Sequence, residues 1–308
     1  MAEVVFPSGD LDATTVNPTV DGEVLSKRRE AIHLADPFVV DARLRLALVG
    51  SSYRLPVSSP SVTSNDFMLS AAMGDVDGVS CVNKFGHNGD VAANTQEDVW
   101  DGGGDYPFPT TALITHISQT TDQSDMRGAN VNVQGLDANW LLTTQTPALN
   151  ASDTTTAVEL ATPLIRCFRA KVEANFVITS SIRVHNSAEN VDYAIVDTGN
   201  NQTLMAIYTI PSGKTGYMTS YYCDYVPTST KDPDSIEFKL WASDRLNNYE
   251  FQIKNKKGIP SNSSGFQHEF RPYQKFTERT DIKITALPSG AAAAADVHAG
   301  FDLILVDN

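Results

Sequence analysis

The chain has 308 residues and a formal net charge of −14, with 23 Lys and Arg against 37 Asp and Glu. A chain of this size can bury about three quarters of its unfolded surface, so it needs no disulfide or metal to fold. The acidic balance argues against a surface that grips nucleic-acid phosphates, because such surfaces require clustered cations. The three cysteines (Cys81, Cys167 and Cys223) are dispersed, and no apolar run approaches the roughly 18 residues of a membrane span. We therefore expect reduced thiols, synthesis in a cytoplasm, and no binding to nucleic acid or membrane.

The N-terminal residues 1–75 are predicted to form an extended arm with one short helix and one or two strands. Residues 1–26 contain five acidic residues, no Lys or Arg, and Pro and Gly residues that exclude a long helix. They are either a disordered tail or an arm that becomes ordered against a neighbouring subunit. A helix is predicted over residues 22–35, where Asp36-Pro37 ends it. Residues 44–48 alternate Leu with Arg and Ala, the period of two expected of a strand.

The stretch 80–109 contains the triplet Gly102–Gly104 next to Trp100. Three consecutive glycines lose much backbone entropy on ordering, so a chain that keeps them needs φ values or close approaches that a Cβ would forbid. Trp100, Tyr106 and Phe108 flank the triplet with apolar area to bury. The stretch therefore predicts an ordered loop that a buried Trp100 anchors.

The same loop carries the candidate ligand residues Asp98, Asp101 and Asp105. Their carboxylates could bind Ca²⁺, but their spacing is not that of an EF-hand, and acids in turns usually hydrogen-bond their own backbone. Beside the aromatic residues, they could also line a glycan site, with a carboxylate pair acting as in a glycosidase. The interpretation favoured here assigns no metal ligand and no cofactor, and it leaves calcium and a surface glycan as alternatives.

From about Leu113 onwards, short strand-like segments are separated by Gly, Pro, Asn and Ser. Roughly one strand in every fifteen residues, bounded by turn residues, is typical of a β-sandwich. The sequence therefore predicts an all-β fold with two sandwich-like, jelly-roll-like domains. The first spans residues 76–200 and contains the glycine-rich acidic loop, and the second spans residues 201–308.

No arrangement of residues predicts catalysis. The sequence contains neither GxSxG nor HExxH, and its histidines show no metal-ligand spacing. Those histidines are His33, His87, His116, His185, His268 and His298. We expect no catalytic residues and no enzymatic activity.

Four separated segments of the chain resemble segments of known proteins. They are Val82-Asn83-Lys84-Phe85-Gly86, Glu97-Asp98-Val99-Trp100-Asp101-Gly102-Gly103-Gly104, Gly135-Leu136-Asp137 and the C-terminal run from Ala299 to Asn308. With these segments in one order over residues 75–308, the chain resembles a family of virion structural proteins from tailed bacteriophages, many of them marine.

The resemblance implies a non-enzymatic component of a virion, synthesised in the cytoplasm of a bacterial host. Its partners would be other copies of itself and other virion proteins, such as major capsid or neck and tail proteins. The acidic charge and the arm favour a homo-oligomer on the capsid exterior, as a decoration or cement protein. The alternatives are a neck or tail component, and a carbohydrate-binding module of a receptor-binding protein.

Overall fold

The described residues are nearly all in strands and loops, with one short helix, which confirms the predicted all-β fold class. The computed structural model describes residues 47–49, 52–54, 64–173, 177–226, 233–244, 248–260, 263, 265–290 and 294–308. The chain divides into two compact units, Met1–Phe67 and Met68–Asn308. In the first unit, β1 (Ala47–Val49) and β2 (Ser52–Arg54) pair as an antiparallel hairpin. The arm predicted within residues 1–40, with its helix, lies outside the described residues.

One α-helix, α1 (Ser64–Met73), occurs in the described part of the chain where sequence analysis predicts none. Its apolar residues do not form one stripe, since Leu69 is 61% exposed while Ala71 is buried. The helix therefore gives no periodic signal. Gly74, with φ +79°, ends it, and the Asp75 N–H donates to the Ser70 carbonyl (2.9 Å). No helix in the described ranges combines the length and apolar character needed to cross a bilayer.

The second unit contains fifteen of the seventeen strands found among the described residues. They are β3 (Val79–Val91), β4 (Glu97–Asp98), β5 (Ile114–Gln119), β6 (Val131–Asp137), β7 (Leu142–Gln145), β8 (Val158–Val172), β9 (Ile182–His185), β10 (Asp192–Val196), β11 (Ile207–Thr209), β12 (Lys214–Val226), β13 (Ser235–Ser243), β14 (Phe251–Pro260), β15 (Phe266–Phe276), β16 (Asp281–Ser289) and β17 (Ala295–Asp307). A 3-10 turn, Ser124–Met126, lies between β5 and β6.

Two of the sheets form a sandwich. One has the strand order β15-β12-β17-β3, and the other has β11-β16-β13-β14 with β4 paired to β16. Alternate residues of the long strands face the space between them, as in β13, where Ile236, Phe238 and Leu240 are fully buried. They share one hydrophobic core with alternate residues of β17, such as Phe301 and Leu303. This packing of two apolar faces is the architecture that strand periodicity predicts.

A six-stranded sheet, ordered β10-β9-β5-β8-β6-β7, lines a second core. Inward-facing residues such as Ile117, Val133 and Val184 are fully buried there. Trp100 and Tyr106 of the glycine-rich loop belong to this second core. The loop therefore packs against the six-stranded sheet, and it connects β4 of the sandwich to β5 of the six-stranded sheet.

Strand pairing differs from the predicted division near Asn200. β3 pairs with β17, and β4 pairs with β16, so strands from residues 79–98 complete the sandwich of the C-terminal third. Both cores lie in the single unit Met68–Asn308. The reason is that periodicity identifies a strand but does not identify its partner. The order of strands along the sequence therefore predicts β3 and β4 in the first domain, whereas their partners lie in the C-terminal third.

A buried lysine lies between the sandwich and the six-stranded sheet. Lys84 of β3 faces inward, is 5% exposed, and donates from Nζ to the carbonyl oxygen of Phe168 in β8. Burial, with the nearby Arg169 cation, lowers the pKa of Lys84 to about 7. The folded protein therefore holds a lysine whose charged form is disfavoured.

This burial predicts an unusual pH dependence. Between pH 7 and 10.5 the unfolded lysine binds a proton that the folded one has lost, so Lys84 makes stability rise with pH in that window. Below pH 7 Lys84 is protonated in both the folded and the unfolded state, so burial of its charge lowers the free energy of unfolding by its full amount. We expect Lys84→Met to be more stable than wild type at pH 6, and this difference to fall by about 1 kcal/mol per pH unit between pH 7 and 9.

Urea unfolding at several pH values measures that difference. The exposed Lys257 on the edge strand β14 provides the control, because Lys257→Met should show no such trend. A difference between Lys84→Met and wild type that stays constant from pH 6 to 9 would show that Lys84 is not desolvated.

Candidate functional site

The glycine-rich loop is an ordered, anchored structure. Trp100 is 4% exposed, which confirms its predicted burial, and its ring meets Tyr106 edge-on with centroids 5.2 Å apart. A Cβ on Gly102 would overlap the Trp100 ring. Gly103 and Gly104 have φ values of +64° and +60°, which residues with a Cβ rarely adopt. The triplet thus allows the chain to turn tightly over the indole.

Asp98, the first of the three candidate ligands, is fully buried and bound by protein groups. Lys283 Nζ lies 2.8 Å from its Oδ1 and 3.0 Å from its Oδ2, and the Tyr106 N–H donates to Oδ2 (2.7 Å). Burial raises the pKa of Asp98, while Lys283 and the Tyr106 N–H oppose that shift. Asp98 therefore links the loop to β16 through its ion pair with Lys283.

The other two candidates lie in different surroundings. Asp101 has a 3% exposed side chain, accepts from the Leu204 N–H through Oδ2 (3.0 Å), and approaches His87 Nδ1 through Oδ1 (3.1 Å). Burial raises the pKa of Asp101 to about 6, and the hydrogen bond from His87 opposes the rise. Asp105 is exposed. In the described ranges the three aspartates form no group whose oxygens lie within 4.8 Å of one another.

The structure instead brings together residues from three strands on the outer face of the four-stranded sheet. Antiparallel register places Asp224 of β12 opposite His298 of β17, and His298 opposite His87 of β3. Asp296 precedes His298 by two residues and faces the same side of β17. The imidazole rings of His87 and His298 stack with centroids 4.9 Å apart.

Carboxylates surround both imidazoles. His87 Nε2 lies 3.0 Å from Asp296 Oδ1, while His87 Nδ1 faces Asp101. His298 Nδ1 lies 3.4 Å from Asp224 Oδ1. The exposed fraction of the side chain is 27% for His87 and 29% for Asp296, so the group is half-buried. We call His87, Asp296 and His298 the histidine–aspartate cluster; one ligand atom from each lies within 4.8 Å of the other two.

An open pocket of about 430 Å³ adjoins this cluster. The cluster residue His298 and its neighbour Asp224 line this pocket. Phe85, Tyr222 and Val226 form its apolar and aromatic walls. The combination of imidazole, carboxylate and an aromatic wall can bind a metal ion or a small polar group.

The sequence alone does not predict this cluster. Asp296 and His298 carry the one local signal, because two residues of a strand spaced by two share a face. His87 lies 209 residues before Asp296, and only the pairing of β3 with β17 brings it there. The glycine-rich loop was correctly identified as an ordered feature, but its Asp101 contacts a histidine.

Comparisons with known proteins identify no family. No family model matches the chain, and no curated protein matches it. A solved structure titled "Structure of infectious bursal disease virus Gt strain" aligns with 9% sequence identity over 78% of each chain, with a TM-score of 0.19. A TM-score this low does not establish a shared fold.

Proposed function

We propose that this chain is a non-enzymatic structural component of a tailed-phage virion, displayed on the capsid exterior as a decoration or cement protein. It assembles there as a homo-oligomer, and residues 1 to about 40 reach onto an adjacent subunit or the underlying shell. Its partners are further copies of itself and the major capsid protein.

The observation that carries the proposal is the architectural use of the segments that resemble virion proteins. A Cβ on Gly86 would overlap the backbone of Ala206, and one on Gly135 would overlap the carbonyl of Arg166. Gly300 is likewise packed against the backbone of β3. These glycines allow strands to approach more closely than a side chain would permit. The segments therefore build the scaffold, the use expected in a protein whose task is structural.

Charge supports an exterior position. A chain with a net charge of −14 is repelled by the phosphates of packaged DNA, which disfavours the inner surface of a shell. The same charge keeps a displayed protein soluble.

Cryo-electron microscopy of the source particle tests the proposal by counting copies of the chain. Hundreds of copies on the outer surface are expected for a decoration protein. A ring of about six or twelve copies, set by cyclic symmetry, would indicate a neck or tail component instead. Finding it only at fibre tips, together with binding to a glycan array, would favour the carbohydrate-binding alternative. Absence from the purified particle would contradict every virion assignment.

A further inference from the structure

We propose that the histidine–aspartate cluster binds a divalent first-row transition-metal ion of the zinc class on the outer face of the four-stranded sheet. The ligands are the imidazoles of His87 and His298 and the carboxylate of Asp296. None of the calcium candidates Asp98, Asp101 and Asp105 is a ligand of this site, although Asp101 contacts the ligand His87.

The separations of the donor atoms fit a metal site. Zinc–nitrogen and zinc–oxygen distances of about 2.0–2.2 Å place two tetrahedral ligands roughly 3.4 Å apart. In the cluster, His87 Nε2 and Asp296 Oδ1 lie 3.0 Å apart, and all three ligand atoms lie within 4.8 Å of one another. The His298 side chain is 44% exposed, so it is the ligand whose position the surrounding protein constrains least.

The carboxylates behind the imidazoles orient them as metal ligands. A ligating histidine usually donates its second ring N–H to a carboxylate, which fixes the tautomer and raises the basicity of the other nitrogen. Asp101 occupies that position at His87 Nδ1 and is itself held by the Leu204 N–H. Asp224 lies at the corresponding position beside His298 Nδ1. Both imidazoles thus have a backing carboxylate, an arrangement that a surface ion pair does not require.

Charge and donor type decide the class of ion. Three carboxylates, from Asp101, Asp224 and Asp296, surround two imidazoles, so a divalent cation offsets most of the local negative charge. Two nitrogen donors and one oxygen donor suit zinc and its first-row neighbours, whereas calcium and magnesium prefer oxygen donors alone. Three protein ligands also leave a coordination position for water.

The site ties together separate parts of the chain. His87 comes from β3, whereas Asp296 and His298 come from the start of β17. Asp101 adds the glycine-rich loop through its contact with His87. A bound ion therefore stabilises the junction of these three segments in the folded state and raises the melting temperature by mass action.

Isothermal titration of the chelator-stripped, full-length chain with ZnCl₂ tests the proposal, with Co²⁺ as a spectroscopic probe. We expect one Zn²⁺ per chain and a visible Co²⁺ spectrum typical of nitrogen and oxygen ligands. His298→Gln should weaken Zn²⁺ binding by about 100-fold, and Asp101→Asn by about 10- to 100-fold, as for residues behind a ligand. Because His298 is 44% exposed in its side chain, its replacement should leave the fold intact, which circular dichroism verifies.

His116→Gln is the matched control. His116 also stacks on a second histidine, His185, but it lies in the six-stranded sheet and contacts Thr115 Oγ1 (2.8 Å). Its replacement should leave Zn²⁺ affinity unchanged. The proposal is overturned if Zn²⁺ does not bind saturably at one per chain, if His298→Gln binds as tightly as wild type, if His116→Gln loses as much affinity, or if Ca²⁺ binds as tightly as Zn²⁺.

Discussion

Replacing Arg166 by methionine is expected to lower the free energy of unfolding by about 3–5 kcal/mol, because it leaves a buried carboxylate without its partner charge. Arg166 of β8 donates from Nε and Nη2 to the two oxygens of Asp281 in β16, both at 2.8 Å. The side chains are 7% and 9% exposed. The pair joins the six-stranded sheet to the sandwich, so its loss weakens the junction of the two cores.

The remaining polar groups of this pair are also bound. Arg166 Nη1 donates to the carbonyl oxygens of Pro109 and Ile165, and the Thr209 hydroxyl donates to Asp281 Oδ1 (2.6 Å). A fully hydrogen-bonded buried pair is stable as a unit, and removing one member leaves the other charge uncompensated. Replacing both residues, as Arg166→Met with Asp281→Leu, should therefore be less destabilising than Arg166→Met alone.

Guanidinium unfolding of the three proteins measures these differences. Arg127→Met is the surface control, because Arg127 pairs with Asp122 in an exposed position, and its unfolding midpoint should match wild type. If Arg166→Met unfolds at the same midpoint as Arg127→Met, the buried pair does not hold the two sheets together.

The parts of the fold that follow from local sequence are the parts that sequence analysis predicted. Alternation of apolar residues, as in Ile236, Phe238 and Leu240, depends only on the strand's own geometry, and those side chains are buried together. Burial of Trp100 follows from its neighbours, because a glycine triplet beside a large aromatic ring indicates a packed turn. Such features need no knowledge of distant residues.

The candidate site could not be predicted because it depends on strand register. His87 and His298 meet only when β3 pairs with β17, and a register shifted by one residue would place them on opposite faces. Asp101 of the glycine-rich loop then contacts His87. Its spacing in the sequence indicates a ligand set with Asp98 and Asp105 instead. Helix α1 was missed for a different reason, since its apolar residues lack the helical stripe that pattern analysis detects.

Trp100→Ala is expected to lower the free energy of unfolding by about 3–5 kcal/mol, as for a large aromatic residue in a packed site. The indole fills space in the second core and contacts Tyr106, which in turn packs against Phe108 with ring centroids 4.7 Å apart. Removing it leaves a cavity beneath the loop that the glycine backbone cannot fill.

The contact between Trp100 and Gly102 allows this prediction to be tested by a double-mutant cycle. Gly102→Ala alone should destabilise by about 1–3 kcal/mol, because its Cβ would overlap the indole ring. In the Trp100→Ala background the overlap is gone, so the same change should have little effect. Gly258→Ala, where a Cβ meets no atom within 4 Å, serves as the control and should be neutral. Equal effects of Gly102→Ala in both backgrounds, measured by urea unfolding, would mean that the indole does not pack on the glycine loop.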